Sequence, residues 1–241
     1  MRKIRCFAML SMTIVLASCS VKEDRSDCPC WLTVDAENTV SLNAWFGSHR
    51  ILDSHPGGFV EHTVPRGLVE LTAHKGNFTV EVGHQMDSLF AQRSVLNTNA
   101  ETAVHTVHLN KNFATVELEF KQEDDGRTGY DLLVTGTVNG ADVRTLEPVD
   151  GPFSCTPEPN SKGRGYVFRV PRQKDDSLEV ILLNDSREVE RIPVGELIRK
   201  AGFDWGKQWL GDVHIVADIP AHSFLITIED WEGPESFSVT I

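Results

Sequence analysis

From Trp31 onward the chain alternates apolar and polar residues with a period of two, a rhythm that suits half-buried β-strands. Val69, Leu71 and Ala73 alternate with Glu70, Thr72 and His74, and Ala114, Val116, Leu118 and Phe120 alternate with Thr115, Glu117 and Glu119. Phe78, Val80 and Val82 follow the same rule. Leu132, Val134 and Val138 share one parity, and Asn139-Gly140 follows as a hairpin-turn signal. The runs GYVFRV, SLEVILL, DVHIVADI and FLITIEDW continue the pattern. Short strands with one polar face and frequent Gly, Pro, Asn and Asp punctuation predict an all-β fold of antiparallel sandwiches, not βαβ units.

Two segments break the period. Val194, Leu197, Ile198 and Ala201 recur at helical spacing, with Pro193 placed to start the turn and Gly202 to end it. A second helical turn is expected near Gln85 to Gln92 (QMDSLFAQ). A boundary is expected at Leu109 to Asn112, giving one β-sandwich over 28–110 and another, carrying the helix, over 111–241.

The amino terminus follows a different logic. Arg2, Lys3 and Arg5 form a positive cluster, and the nearly uncharged stretch CFAMLSMTIVLA follows from Cys6 to Ala17. That is the pattern of a secretory signal, too short to span a bilayer. It ends in Leu16-Ala17-Ser18-Cys19, which matches the bacterial lipobox, whose cysteine is acylated before cleavage. Residues 1–18 are therefore expected to be a signal peptide, with Cys19 the first mature, lipidated residue. Residues 19–27, polar and charged after the cysteine, are expected to be a tether. One acyl chain binds a membrane marginally, whereas two or more hold a protein there.

Charge narrows the choice of partners. The chain carries a formal charge of −12, and removing Arg2, Lys3 and Arg5 leaves −12 − 3 = −15. So acidic a chain lacks the basic footprint of a nucleic-acid binder and is not drawn to anionic lipid by charge. Lipid is then the expected hold on the membrane.

Cys28, Cys30 and Cys155 remain after Cys19 is taken by lipid. Cys28 and Cys30, with Pro29 between them, are too close for a comfortable mutual disulfide. Either one paired with Cys155 would close a loop of about 125 residues, contributing roughly 5 kcal/mol on the chain-entropy model. The alternative reading, of equal weight, keeps all three reduced, and both arrangements leave an odd thiol.

No residue pattern demands catalysis. Of the nine histidines, His105 and His108 lie three apart, which on a strand sends them to opposite faces. Cys28-Pro29-Cys30 has no second paired motif to complete a zinc site. No nucleophile elbow, P-loop or dinucleotide fingerprint occurs, and Asp124-Asp125 and Asp175-Asp176 lack the ladder of a calcium loop. No enzyme activity, metal or cofactor is expected. Trp205, Trp209 and Trp231 could line a sugar-binding face, but Trp205 and Trp209 directly follow the predicted helix and suit packing it onto a sheet.

The last run has two open readings. SFSVTI (Ser236 to Ile241) alternates Phe237, Val239 and Ile241 with Ser236, Ser238 and Thr240, behind Gly233-Pro234. It is either an edge strand of its own sheet or a donor strand that completes the sheet of another subunit, where backbone hydrogen bonds give affinity and alternate side chains give register.

With these blocks in place, the sequence resembles the fimbrial anchoring subunits of Bacteroidetes, the FimB-type minor fimbrium anchor family. The resemblance begins at the lipobox and KEDRSDCPCWLTVD, whose acidic residues are similar to the surface-export signal of Bacteroidetes lipoproteins. It continues through NKNFATVELEF, YDLLVTGTVNGADV, YVFRVPRQKDDSLEVILL, IPVGELIRKAGFDW and DVHIVADI to ITIEDW. It implies two transthyretin-like β-sandwich domains in a lipid-anchored component of a type V pilus at the outer membrane, exposed on the cell surface. In such pili a neighbour's terminal strand fills a groove vacated in each stalk subunit. An anchor is expected to keep its first strand and lipid, at Cys19 here, and to donate only its own strand around Phe237, Val239 and Ile241. The implied partners are fimbrial stalk subunits and the membrane, with no nucleic acid and no small-molecule substrate. The alternatives are a pilus tip or adhesin-like fimbrillin, and a surface glycan-binding lipoprotein.

Overall fold

The computed structural model describes residues 28–56, 58–121, 130–160, 164–230 and 233–240. Cys19 and the readings on residues 1–27 lie outside that range. Among the described residues are seventeen strands and one helix, so the all-β expectation holds. In the first half the strands are β1 (Cys30–Asp35), β2 (Ser41–Phe46), β3 (His49–Pro56), β4 (Phe59–Val64), β5 (Leu68–Lys75), β6 (Phe90–Asn97), β7 (Thr102–Thr106) and β8 (Asn110–Lys111). There follow β9 (Phe113–Phe120), β10 (Asp131–Ala141), β11 (Pro148–Cys155), β12 (Gly165–Pro171), β13 (Glu179–Asn184) and β14 (Arg187–Ile192). Helix α1 (Val194–Lys200) precedes β15 (Asp212–Asp218), β16 (Ser223–Asp230) and β17 (Gly233–Thr240). No helix among the described residues is long and apolar enough to cross a membrane.

Alternation decides which face each strand buries. On β5, Val69, Leu71 and Ala73 are buried, as are Val116, Leu118 and Phe120 on β9. Each buried Val, Leu or Phe of this kind contributes roughly 1.5–3 kcal/mol relative to exposure. The buried residues form two clusters. The smaller lies between the sheet β4-β1-β7 and the sheet β3-β2-β5-β6-β8, and includes Leu32, Val34, Leu42 and Leu71. The larger lies between β11-β10-β13-β14 and β12-β9-β15-β16-β17, and includes Leu118, Val134, Phe168 and Ile215. Val80, Met86, Leu89 and Ala91 belong to the larger one. The first half of the chain therefore reaches into the second core.

The two halves share one pattern of pairing. β1 pairs antiparallel with β4 and parallel with β7, while β2 joins β3 and β5, and β5 joins β6. Shifted by eight strands, the same pairings recur: β9 with β12 and, parallel, with β15, β10 with β11 and β13, and β13 with β14. The β16–β17 hairpin, added beyond β15, has no counterpart beyond β7 among the described residues. The repeat is topological and leaves no obvious trace in the residues.

Helix α1 agrees with its sequence signals. Val194, Leu197 and Ile198 face the larger core, Glu196 stands in the first turn, and Arg199 and Lys200 stand in the last, where they complement the helix dipole. Gly202, with φ of +91°, follows the helix in a conformation that suits glycine.

Three local expectations fail, each for a tertiary reason. Gln85 to Gln92 forms no helical turn: residues 85–89 are irregular and Phe90 opens β6. The Met86 amide donates to the Arg169 carbonyl at 3.0 Å, and the Leu89 carbonyl accepts from the Asn112 amide at 2.9 Å. The apolar side chains there plug the second core. Asn139-Gly140 is not a hairpin turn but part of β10, which carries register shifts there. A Cβ on Gly140 would meet the Phe78 carbonyl oxygen at 2.1 Å, so the glycine permits a crossing segment to approach. That segment is Phe78–Val82, which makes an isolated bridge at Thr79, not a strand, and leaves Val82 67% exposed.

Candidate functional site

The strand singled out for donation is seated in its own sheet. β17 pairs with β16 along its length, with Val239 opposite Phe224, Phe237 opposite Ile226 and Glu235 opposite Ile228. Those β16 residues are buried, so Glu235, Phe237 and Val239 share the core side. Coverage is nonetheless slight. Only Val239 is half-buried and packs against the larger cluster, whereas Phe237 is exposed at 36% and residues 234–238 are all exposed. Ile241 lies outside the described residues. On the other face, Thr227 and Ser236 share a hydroxyl hydrogen bond of 3.0 Å. The sheet order ends at β17, so its outer edge meets no other strand among the described residues. Such an edge is a template for pairing with another chain.

The first strand is placed quite differently. β1 is the middle strand of its sheet, and Cys30, Leu32 and Val34 are almost wholly buried. Arg66 secures its approach, its Nε donating to the Cys28 carbonyl at 2.6 Å. Removing β1 would open a groove between β4 and β7 and strip one wall of the smaller core.

Of the two readings left open for the cysteines, the bridge from Cys28 or Cys30 to Cys155 is not formed. All three thiols are free: Cys28 is exposed, Cys30 sits in the smaller core and Cys155 in the larger. Cys30 and Cys155 belong to different cores, so a bond between them would need the backbone to move. Burial raises the Cys30 pKa against the lowering effect of Arg66, and burial pushes the Cys155 thiol up to about 12.

The tryptophans divide. Trp205 stacks edge-on against Phe203, with centroids 4.7 Å apart, and packs on the larger core behind α1. Trp209 lies 6.4 Å from Phe90 and is 39% exposed. Trp231 is outside the described residues. Trp205 also lines a groove of about 900 Å³, which Trp209 does not line; the groove runs between β6 and the loops after β10, β12 and α1.

One grouping was not anticipated. Glu117 and Glu119 on β9 and His214 on β15 are half-buried and hold their ligand atoms within 4.8 Å of one another. Glu117 stands directly opposite His214 in the parallel pair. A divalent cation could be held by two carboxylates and an imidazole. The residue types were visible in the sequence, but the pairing of segments almost a hundred residues apart was not.

No protein-family model matches the chain, nor does any curated protein. Solved structures do. A candidate polysaccharide-binding protein from Bacteroides thetaiotaomicron superposes with a TM-score of 0.60 at 12% identity, over 88% of this chain and 98% of that one. A candidate adhesin from Bacteroides ovatus gives 0.54 at 12% identity, over 90% and 97%. The fimbrial anchor protein Mfa2 from Porphyromonas gingivalis gives 0.51 at 12% identity, over 85% and 98%. The chain shares its fold with a fimbrial anchor and an adhesin-type protein of Bacteroidetes along almost their whole length.

Proposed function

We propose that this protein is a non-enzymatic, lipid-anchored fimbrial subunit that holds a fimbrium to the outer membrane and limits its length. Acyl chains on Cys19 would hold one end, with residues 19–27 as tether, and two sandwich domains, meeting near residue 110, would form the rigid body between. Strand β17 would be the other attachment, donated to a stalk subunit.

The observation that carries this reading is the β16–β17 hairpin. It is an addition to a pattern the first half completes without it, and β17 commits little apolar surface to its own core. A strand that leaves its sheet at small cost can complete another, where the same backbone groups are paired again and Phe237 finds a pocket. The fold shared with Mfa2, a fimbrial anchor, agrees with it. The central, buried β1 favours an anchor over a tip subunit that would lose its first strand.

Deleting residues 233–241 tests the reading. Fimbriae should be shed into the medium while the truncated protein stays folded and membrane-bound. Fimbriae retained at the wild-type level would remove strand donation. In parallel, Cys19→Ala should free the protein from the membrane fraction, and unchanged partitioning would remove the lipid tether.

A further inference from the structure

The groove beside Trp205 has no part in fimbrial anchoring as derived above, and its lining is specific. Its volume of about 900 Å³ lies at the upper end of the range for small-ligand sites. Strand β6 and the loops after β10, β12 and α1 build it. Gln92 and Arg93 come from β6, Lys174 and Asp176 from the loop after β12, and Trp205 and Gln208 from the segment after α1.

Most charges in this lining are already committed. Lys174 pairs with Asp150 at 2.7 Å, Arg199 with Asp176 at 2.5 Å and Arg93 with Glu70 at 3.5 Å. The Arg172 guanidinium caps the carbonyls of Trp205 and Lys207, the latter at 2.8 Å, and reaches Asn112 Oδ1 at 3.3 Å. Acidic and basic groups are mixed in the lining, so no field of one sign would recruit an ion. An anion would have to compete with the carboxylates that already hold Arg93, Lys174 and Arg199.

Neutral capacity is uncommitted too, beside the Glu147 carboxylate, which faces the Arg172 charge. The side chains of Asn110 and Gln208 make no hydrogen bond among the described residues. Trp205 Nε1 is a buried donor without a partner, a situation that costs stability until something accepts from it. That nitrogen lies beneath the groove surface, so reaching it requires the indole to turn. A ligand suited to this lining offers donors and acceptors at close spacing, apolar C–H faces for an aromatic wall, and no charge. Sugars have all three properties.

We propose that this groove binds an uncharged oligosaccharide, with Trp205 as its aromatic wall and Asn110 and Gln208 among its hydrogen-bonding partners. No residue of β17 lines the groove, so glycan capture and strand donation are separable activities of one molecule.

The test uses full-length protein in detergent, titrated calorimetrically with xylotriose, mannotriose and chitotriose, and with sialyllactose as the charged arm. At least one neutral trisaccharide should bind with a Kd of about 1 mM or tighter. Gln208→Trp, which fills the groove from an exposed position, should weaken that binding tenfold or more, as should Trp205→Ala. Trp209→Ala should leave it unchanged. Thermal unfolding checks that each variant folds, and Gln208→Trp decides alone if Trp205→Ala does not. Silence from all three neutral sugars, binding of sialyllactose alone, or affinity indifferent to Gln208→Trp overturns the proposal.

Discussion

Arg144, in the turn after β10, grips Glu70 of β5 with two hydrogen bonds, Nε to Oε2 at 2.8 Å and Nη2 to Oε1 at 3.1 Å. The same guanidinium donates to the Gly47 carbonyl at 2.7 Å and lies 5.9 Å from the centre of the Trp45 ring. The Arg144 hydrogen bonds hold the Glu70 carboxyl below its usual pKa against the opposing effect of burial. Seventy-four residues apart, the pair joins the sheet of the first half to a loop of the second. A forked, charge-assisted contact of this kind fixes orientation as well as distance.

Breaking it should loosen that junction. Arg144→Ala and Glu70→Ala should each lower Tm by a few degrees, and the double variant should lose less than the two single losses added. Both side chains are partly exposed, so the coupling should shrink in high salt. Thermal unfolding of the four proteins at low and high salt measures it. Strict additivity would mean that the contact contributes nothing at the junction.

The larger core should respond very differently from the surface of the same sheet. Phe168 on β12 is completely buried, and Phe168→Ala should cost about 3–5 kcal/mol. Leu225 on β16 is 48% exposed on the outward face, and Leu225→Ala should fall within about 0.5 kcal/mol of wild type. Urea unfolding compares the two, and similar losses would mean that the face assignment of the sheet is wrong.

These contrasts show which physics the sequence carries. Alternation is local, so the inward faces of β5 and β9 and the helix at Val194 could be read directly from spacing. The parallel pairing of β1 with β7 and of β9 with β15 depends on contacts across long stretches of chain, and nothing in a strand's own residues names its neighbour. Gly140 misleads for the same reason. Its turn signal is really room for the Phe78 carbonyl, supplied by a segment some sixty residues earlier. The site residues show the same split. The alternation of Phe237 and Val239 was legible, but whether β17 pairs at home was not, and the groove at Trp205 exists only because three distant loops converge.

Thiol chemistry gives a direct reading of the cores. In the native protein Cys28 should react with a maleimide at once, while Cys30 and Cys155 should stay protected, both buried and Cys155 held near 12. After denaturation without reductant all three should be labelled. Mass analysis of the peptides distinguishes the cases: a disulfide between Cys155 and either partner would leave both unlabelled in denaturant.

Acid should unsettle the first half before it reaches the ordinary carboxylate range. Burial lowers the pKa of His74, opposed by its bond to the Gly76 carbonyl, and burial with the neighbouring His108 lowers that of His105. His105 Nε2 is also buried without a partner. A folded-state pKa below the unfolded value of about 6.5 means that the unfolded chain takes up protons first. Stability from these two groups is therefore fully present above pH ~6.5 and is lost as pH falls through their folded values. The lowered carboxylates, Glu70 among them, add losses of the same sign, but only below their own unfolded value of about 4.3. Tm should thus fall between pH 7.5 and pH 5.5, a window chosen around the histidine value. His105→Leu, which removes the titrating ring and its unpaired nitrogen, should flatten that slope; an unchanged slope would mean that His105 does not set the acid response.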